Sequence, residues 1–231
     1  MHSDEPPEPL FNSLPPVVVL LALFFGAAEV IFQAGEAGLI GGPTAAGWRL
    51  TMAQSFGFYS EIARQMHDLG QYPWDGIKRF FTYPLVHRGP VDCAFRIVFI
   101  LALGKWVGER TSNTHVALIF VSATVLTPLA ATIVLDPAIV IIGGGPGTYG
   151  LVGALTWLLY THRRAQGAQG REAFGIVIGL GVVIGLFAVL FGGSFWFEYL
   201  GGAIFGFLIT AALVPVPGAN WRWWHDRLRR R

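Results

Sequence analysis

Six stretches of this chain carry few or no charges: residues 14–40, 80–107, 115–135, 147–160, 173–192 and 195–214. A hydrocarbon core about 30 Å thick is crossed by about 20 helical residues, and most of these runs reach that length. The fourth is short, at 14 residues, which places it among protein and away from lipid. Composition agrees. Of 231 residues 53% are hydrophobic and only 13% charged, where a water-soluble domain carries about a quarter charged residues. The reading is an all-α, polytopic membrane protein with six transmembrane helices.

The flanks set the expected orientation. The first 13 residues hold three acids, three prolines and no Lys or Arg, unlike the basic start of a cleavable signal peptide. The last stretch, WRWWHDRLRRR, holds five arginines, and THRRAQGAQGRE holds three. Lys105 and Arg110 add to the turn after the second run. Positive charge in short loops marks the cytoplasmic side, so both termini are expected there, in a bacterial inner membrane. Residues 1–13 and 217–231 read as cytoplasmic tails around a single membrane domain, 14–216. Cys93 is the sole cysteine, which excludes an internal disulfide and argues against most metal sites. No metal, cofactor or nucleic-acid partner is expected; the lipid bilayer is.

The first outer loop, about 41–79, is too apolar for a linker and too charged to span, so it is expected to lie in the outer interface against the bundle. Glu29, Gln33 and Glu36 form one stripe on the first helix. The stripe reads either as hydrogen bonds to that loop, the preferred sense, or as the relay of a small transporter. Gly147, Gly150 and Ala154 in the fourth run, and Gly202 and Gly206 in the sixth, are small residues at spacings that let membrane helices approach closely. Gly175/Gly179 and Gly181/Gly185 offer the same in the fifth.

Four segments, in order, carry a resemblance. YPWDGIKRFFTYPLVHRG, LGKWVGER, GGGPGTYGLVGA and EYLGGAIFGFL are similar to the motifs of rhomboid intramembrane serine proteases, over about residues 74–207. The resemblance implies a six-helix bundle in which a loop drops into the membrane to present a serine at the head of the fourth helix. A histidine on the sixth helix would be its general base. In register with the family, Gly143 matches the first motif glycine, Pro146 replaces the second, and the serine position falls at Gly145. The histidine position falls at Tyr199. His87 matches a family histidine, while the oxyanion-side His and Asn positions fall at Asp92 and Arg96.

A serine hydroxyl needs a partner to take its proton. With Gly145 and Tyr199 at the two positions, the expected reading is a rhomboid-like pseudoprotease that binds transmembrane helices of client proteins. Asp92 and Arg96, four residues apart, are expected to pair. Two alternatives stand beside it: an active peptidase with a non-standard site, such as Thr148 with His87 or a site using Ser194, and the small transporter.

Overall fold

The computed structural model describes residues 14–134, 139–166 and 195–215, with isolated positions at 172, 174, 175, 178, 179 and 182. Helix α1 (Pro16–Glu36) opens with Pro at its first turn, where a missing N–H costs nothing. It stops at Gly38, whose φ of +72° lets the Leu39 amide reach back to the Ala34 carbonyl. The first loop then folds against the bundle as helices α2 (Trp48–Phe56), α3 (Ser60–Leu69) and α4 (Trp74–Ile77).

Two short pieces pin this loop. Strand β1 (Phe58–Tyr59) pairs antiparallel with β2 (Val140–Ile141), with Phe58 opposite Ile141. The Arg79 guanidinium donates to the Gln54 and Gly57 carbonyls at 2.8 Å each. Phe58, Met66, Tyr83, Ala131 and Ile141 form a small apolar core beneath it. The expected docking of the first loop against the bundle is what the chain adopts.

The second apolar run is not one helix. Short helix α5 (Arg79–Thr82) and a 3-10 turn (Tyr83–Leu85) precede a break at 86–89, and α6 (Pro90–Arg110) starts only at its proline. Pro84 and Pro90 each lack an amide N–H to continue a helix. Helix α7 (Asn113–Val134) follows, with the Ser112 hydroxyl accepting from the His115 amide at its start. Helix α8 (Gly145–Ala165) is 21 residues long, so the expected short fourth segment was a misreading of its ends. Its polar last turn, through His162, Arg163 and Arg164, stays helical. The sixth run is α9 (Phe195–Leu213). The fifth run lies mostly outside the described residues, as do Ser194 and both tails.

By length and composition, α1, α7 and Trp196–Leu213 of α9 are able to cross a membrane. They turn Leu23, Phe24, Ile133 and Leu208 outward, side chains suited to lipid and not to water. Helix α8 is different: twelve of its residues are buried, because α6, α7 and α9 surround it. Val18, Phe25, Ile100, Ile119, Phe120 and Leu151 form the main core around it.

Helices α8 and α9 meet backbone to backbone. A methyl group at Gly206 would overlap the Gly150 carbonyl, one at Gly202 the Pro146 carbonyl, and one at Gly153 the Ala203 carbonyl. Gly147 and Gly150 share the face expected of them, but a side chain there would first meet Phe120, Thr124 and Ala123 of α7; it is Gly153 that faces α9. Ala154 is fully buried. Among the described residues, nothing lies within 4 Å of a side chain added at Gly175 or Gly179. Gly206→Val is therefore expected to cost about 3 kcal/mol, as overpacking against immovable backbone does. Gly47→Ala, with open space around it, should stay within about 0.5 kcal/mol. Thermal unfolding in detergent micelles compares the two.

Candidate functional site

The loop before α8 is built by three glycines with three different neighbours. Gly143 has a φ of +85°, a conformation that side chains disfavour. Its amide donates to the Tyr83 carbonyl at 2.9 Å. Tyr83 itself is fully buried and donates its phenol to the Thr124 carbonyl at 2.8 Å. A side chain at Gly144 would run into the Phe25 ring. At Gly145 a side chain would point at α9, its Cβ 3.3 Å from Glu198 Oε2 and 3.3 Å from Tyr199 Cε1. Pro146 follows in the first turn, where its missing N–H is harmless. The sequence-predicted positions Gly145 and Tyr199 thus face each other across α8 and α9.

Tyr199 is held on three sides. Its ring stacks on Tyr149 with centroids 4.4 Å apart and planes 26° from parallel. The Arg96 guanidinium lies over both rings, at 5.2 and 5.8 Å, and donates from Nη2 to the Tyr199 hydroxyl at 3.0 Å. The same guanidinium donates from Nη2 and Nε to Asp92 Oδ1 at 3.0 and 3.2 Å. The expected Asp92–Arg96 pair is present, and its side chains keep only 20% and 9% exposure. What the sequence did not disclose is that Arg96 extends the pair to Tyr199. Spacing within one helix predicts an i, i+4 contact; it says nothing about which helix lies opposite.

A second ion pair went unread. Glu198, 2% exposed, accepts from Arg88 at 3.2 Å. Its other oxygen, Oε2, has no hydrogen-bond partner among the described residues. Glu198 was legible as the one carboxylate in the sixth run, although its partner lies 110 positions away.

His87 is completely buried and meets the Phe25 ring edge-on at 4.7 Å. The Thr148 hydroxyl donates back to the Gly144 carbonyl at 2.7 Å. No hydrogen bond joins Thr148 to His87, so the suggested alternative dyad is not assembled.

The Glu29–Gln33–Glu36 stripe is tied to the first loop by Arg49. That guanidinium donates to both Glu29 oxygens, at 2.7 and 2.9 Å, to Glu36 Oε1 at 2.8 Å, and to the His87 carbonyl at 3.1 Å. Gln33 bridges the two carboxylates at 3.2 and 3.0 Å. The bonds to Glu29, then to Glu36, raise the Arg49 pKa further above its already high value. The preferred reading of the stripe, hydrogen bonds to the loop, is the one adopted; the partner residue was not predicted.

These networks make a measurable ranking. Asp92→Ala strands a mostly buried guanidinium and should cost of the order of 3 kcal/mol. Tyr199→Phe removes one hydrogen bond to that guanidinium and keeps the ring stack, for about 1.5 kcal/mol. Unfolding in detergent should rank them in that order. An Asp92→Ala protein as stable as wild type would mean that the carboxylate is simply solvated.

No curated protein matches this chain. A family model described as the Rhomboid domain matches residues 75–216, more than half of the chain. That span runs from the end of the first loop through α6, α7, the glycine loop, α8 and α9. With the motif order, the all-α membrane bundle and this match in agreement, the chain belongs to the rhomboid family.

Proposed function

We propose that this protein is a rhomboid-family member without proteolytic activity, and that it binds transmembrane segments of other membrane proteins. The observation that carries the reading is the pair that faces across α8 and α9: a glycine and a tyrosine, Gly145 and Tyr199. In the proposed register these are the nucleophile and base positions. Neither supplies a hydroxyl activated by an imidazole, which acyl transfer by serine requires.

Three further points support it. Asp92 and Arg96, at the oxyanion-side positions, are engaged with each other and with Tyr199. A carboxylate there would repel a developing oxyanion where neutral donors are needed. The Thr148 hydroxyl is spent on the Gly144 carbonyl. The scaffold glycines Gly150, Gly202 and Gly206 are kept, so the bundle that would position a client helix persists without the cutting groups. The membrane domain spans 14–216 in this reading, in a bacterial inner membrane with both termini cytoplasmic.

A fluorophosphonate probe should leave the purified protein unlabelled, and a model transmembrane substrate should stay intact. Gly145→Ser with Tyr199→His should create weak labelling that neither single change gives, because each dyad member is nearly useless alone. Replacing Tyr199 also relieves one of the two 3.3 Å contacts that a Gly145 side chain would meet, the other being with Glu198 Oε2. Adding Asp92→His and Arg96→Asn should strengthen the labelling, by up to about 10²-fold if one oxyanion donor is regained. Specific labelling of the unaltered protein would overturn the inactive reading. A folded quadruple variant with no labelling would overturn the register. Crosslinking in membranes should capture transmembrane clients, and a protein that crosslinks only to lipid would defeat the client-binding half.

A further inference from the structure

Glu29, His87 and Cys93 come from three separate places: mid-α1, the break before α6, and the first turn of α6. Their donor atoms nonetheless lie within 4.8 Å of one another, and all three residues are buried. Neither ring nitrogen of the fully buried His87 has a hydrogen-bond partner among the described residues. A buried imidazole left so is unusual, since burying an unsatisfied polar group costs roughly 1–3 kcal/mol. Such a group points to an ion or water that completes it.

We propose that these three residues bind a divalent transition-metal ion of the zinc class. The donor set selects the class: thiolate, imidazole and carboxylate together suit zinc, whereas magnesium and calcium take oxygen alone. Glu29 has capacity to spare. Its Oε1 accepts from Arg49 and Gln33, while among the described residues Oε2 accepts from Arg49 alone and keeps a lone pair. Donors around a tetrahedral zinc lie about 3.5 Å apart, so the group closes by about one ångström. His87 can turn toward it without breaking a side-chain hydrogen bond, its ring being held by the edge contact with Phe25.

Charge favours the ion. Glu29 and Glu36 against Arg49 leave one net negative charge. A divalent cation with a Cys93 thiolate adds one positive charge and neutralises the cluster. On binding, the thiol proton is released to water and sulfur donates to the metal. Glu29 and Cys93 also line an open, mostly apolar groove between α1 and α6, with Gln33, Pro90, Ala94 and Ile97. An exogenous ligand such as water takes the fourth position, as at other zinc sites with three protein ligands.

Cobalt(II) is the probe. Cys93 is the sole cysteine, so a near-ultraviolet thiolate-to-cobalt band reports this site and no other histidine in the chain. The full-length protein in nanodiscs should show that band with one equivalent of cobalt, lose it when zinc is added, and retain about one zinc per chain. Cys93→Ser should abolish the band, and His87→Gln should weaken binding at least tenfold. X-ray absorption at the zinc edge on the unaltered protein needs no variant; one sulfur and an imidazole in the shell are expected. No cobalt band in the folded protein, a band that His87→Gln leaves unchanged, or a shell without sulfur would each overturn the site.

Discussion

The close approach of α8 to α9 is the constraint on which the rest depends. Gly153, Gly202 and Gly206 let each backbone rest against carbonyls of the other helix. In a membrane there is little hydrophobic drive between helices, so packing at this range supplies the association. It also sets what can stand where α8 begins. Because the axes are so near, Gly145 and Tyr199 come within contact, and only a small residue on α8 leaves room for the Tyr199 ring. The stack on Tyr149 and the bond from Arg96 follow from that placement.

The central charges then make sense as a closed arrangement. Two arginines and two acids sit around the head of α8: Arg96 with Asp92, and Arg88 with Glu198. Lone charges at such a depth would be costly, whereas pairs with further hydrogen bonds are tolerable. Arg96 binds a carboxylate, a phenol and two ring faces at once, which suits a planar guanidinium and not an ammonium. Across α1, Arg49 does the corresponding work for Glu29 and Glu36 and carries the first loop with it. The loop is therefore anchored by the Arg49 guanidinium near its start and by the β1–β2 pairing at its middle. That pairing lies just before Gly143, so the loop and the glycine turn steady each other.

The chain by itself determined its class. Long runs without charge leave no soluble alternative, and glycines at fixed spacing identify helices that must touch. The Asp92–Arg96 pair was legible because helical geometry alone brings i and i+4 together, and the Glu29 stripe because three polar residues on one apolar helix share a face. The ends of α8 were misread because hydropathy marks lipid contact, and α8 is covered by protein; a polar turn there need not end a helix. The break at 86–89 was overlooked because an apolar average conceals a proline pair. Only the tertiary structure decided that Arg49 serves Glu29, that Arg88 serves Glu198, and that Tyr199 lies on Arg96. These partners are separated by 20, 110 and 103 positions. Local periodicity carries no information at such separations; they are fixed by which helices pack together and at what depth.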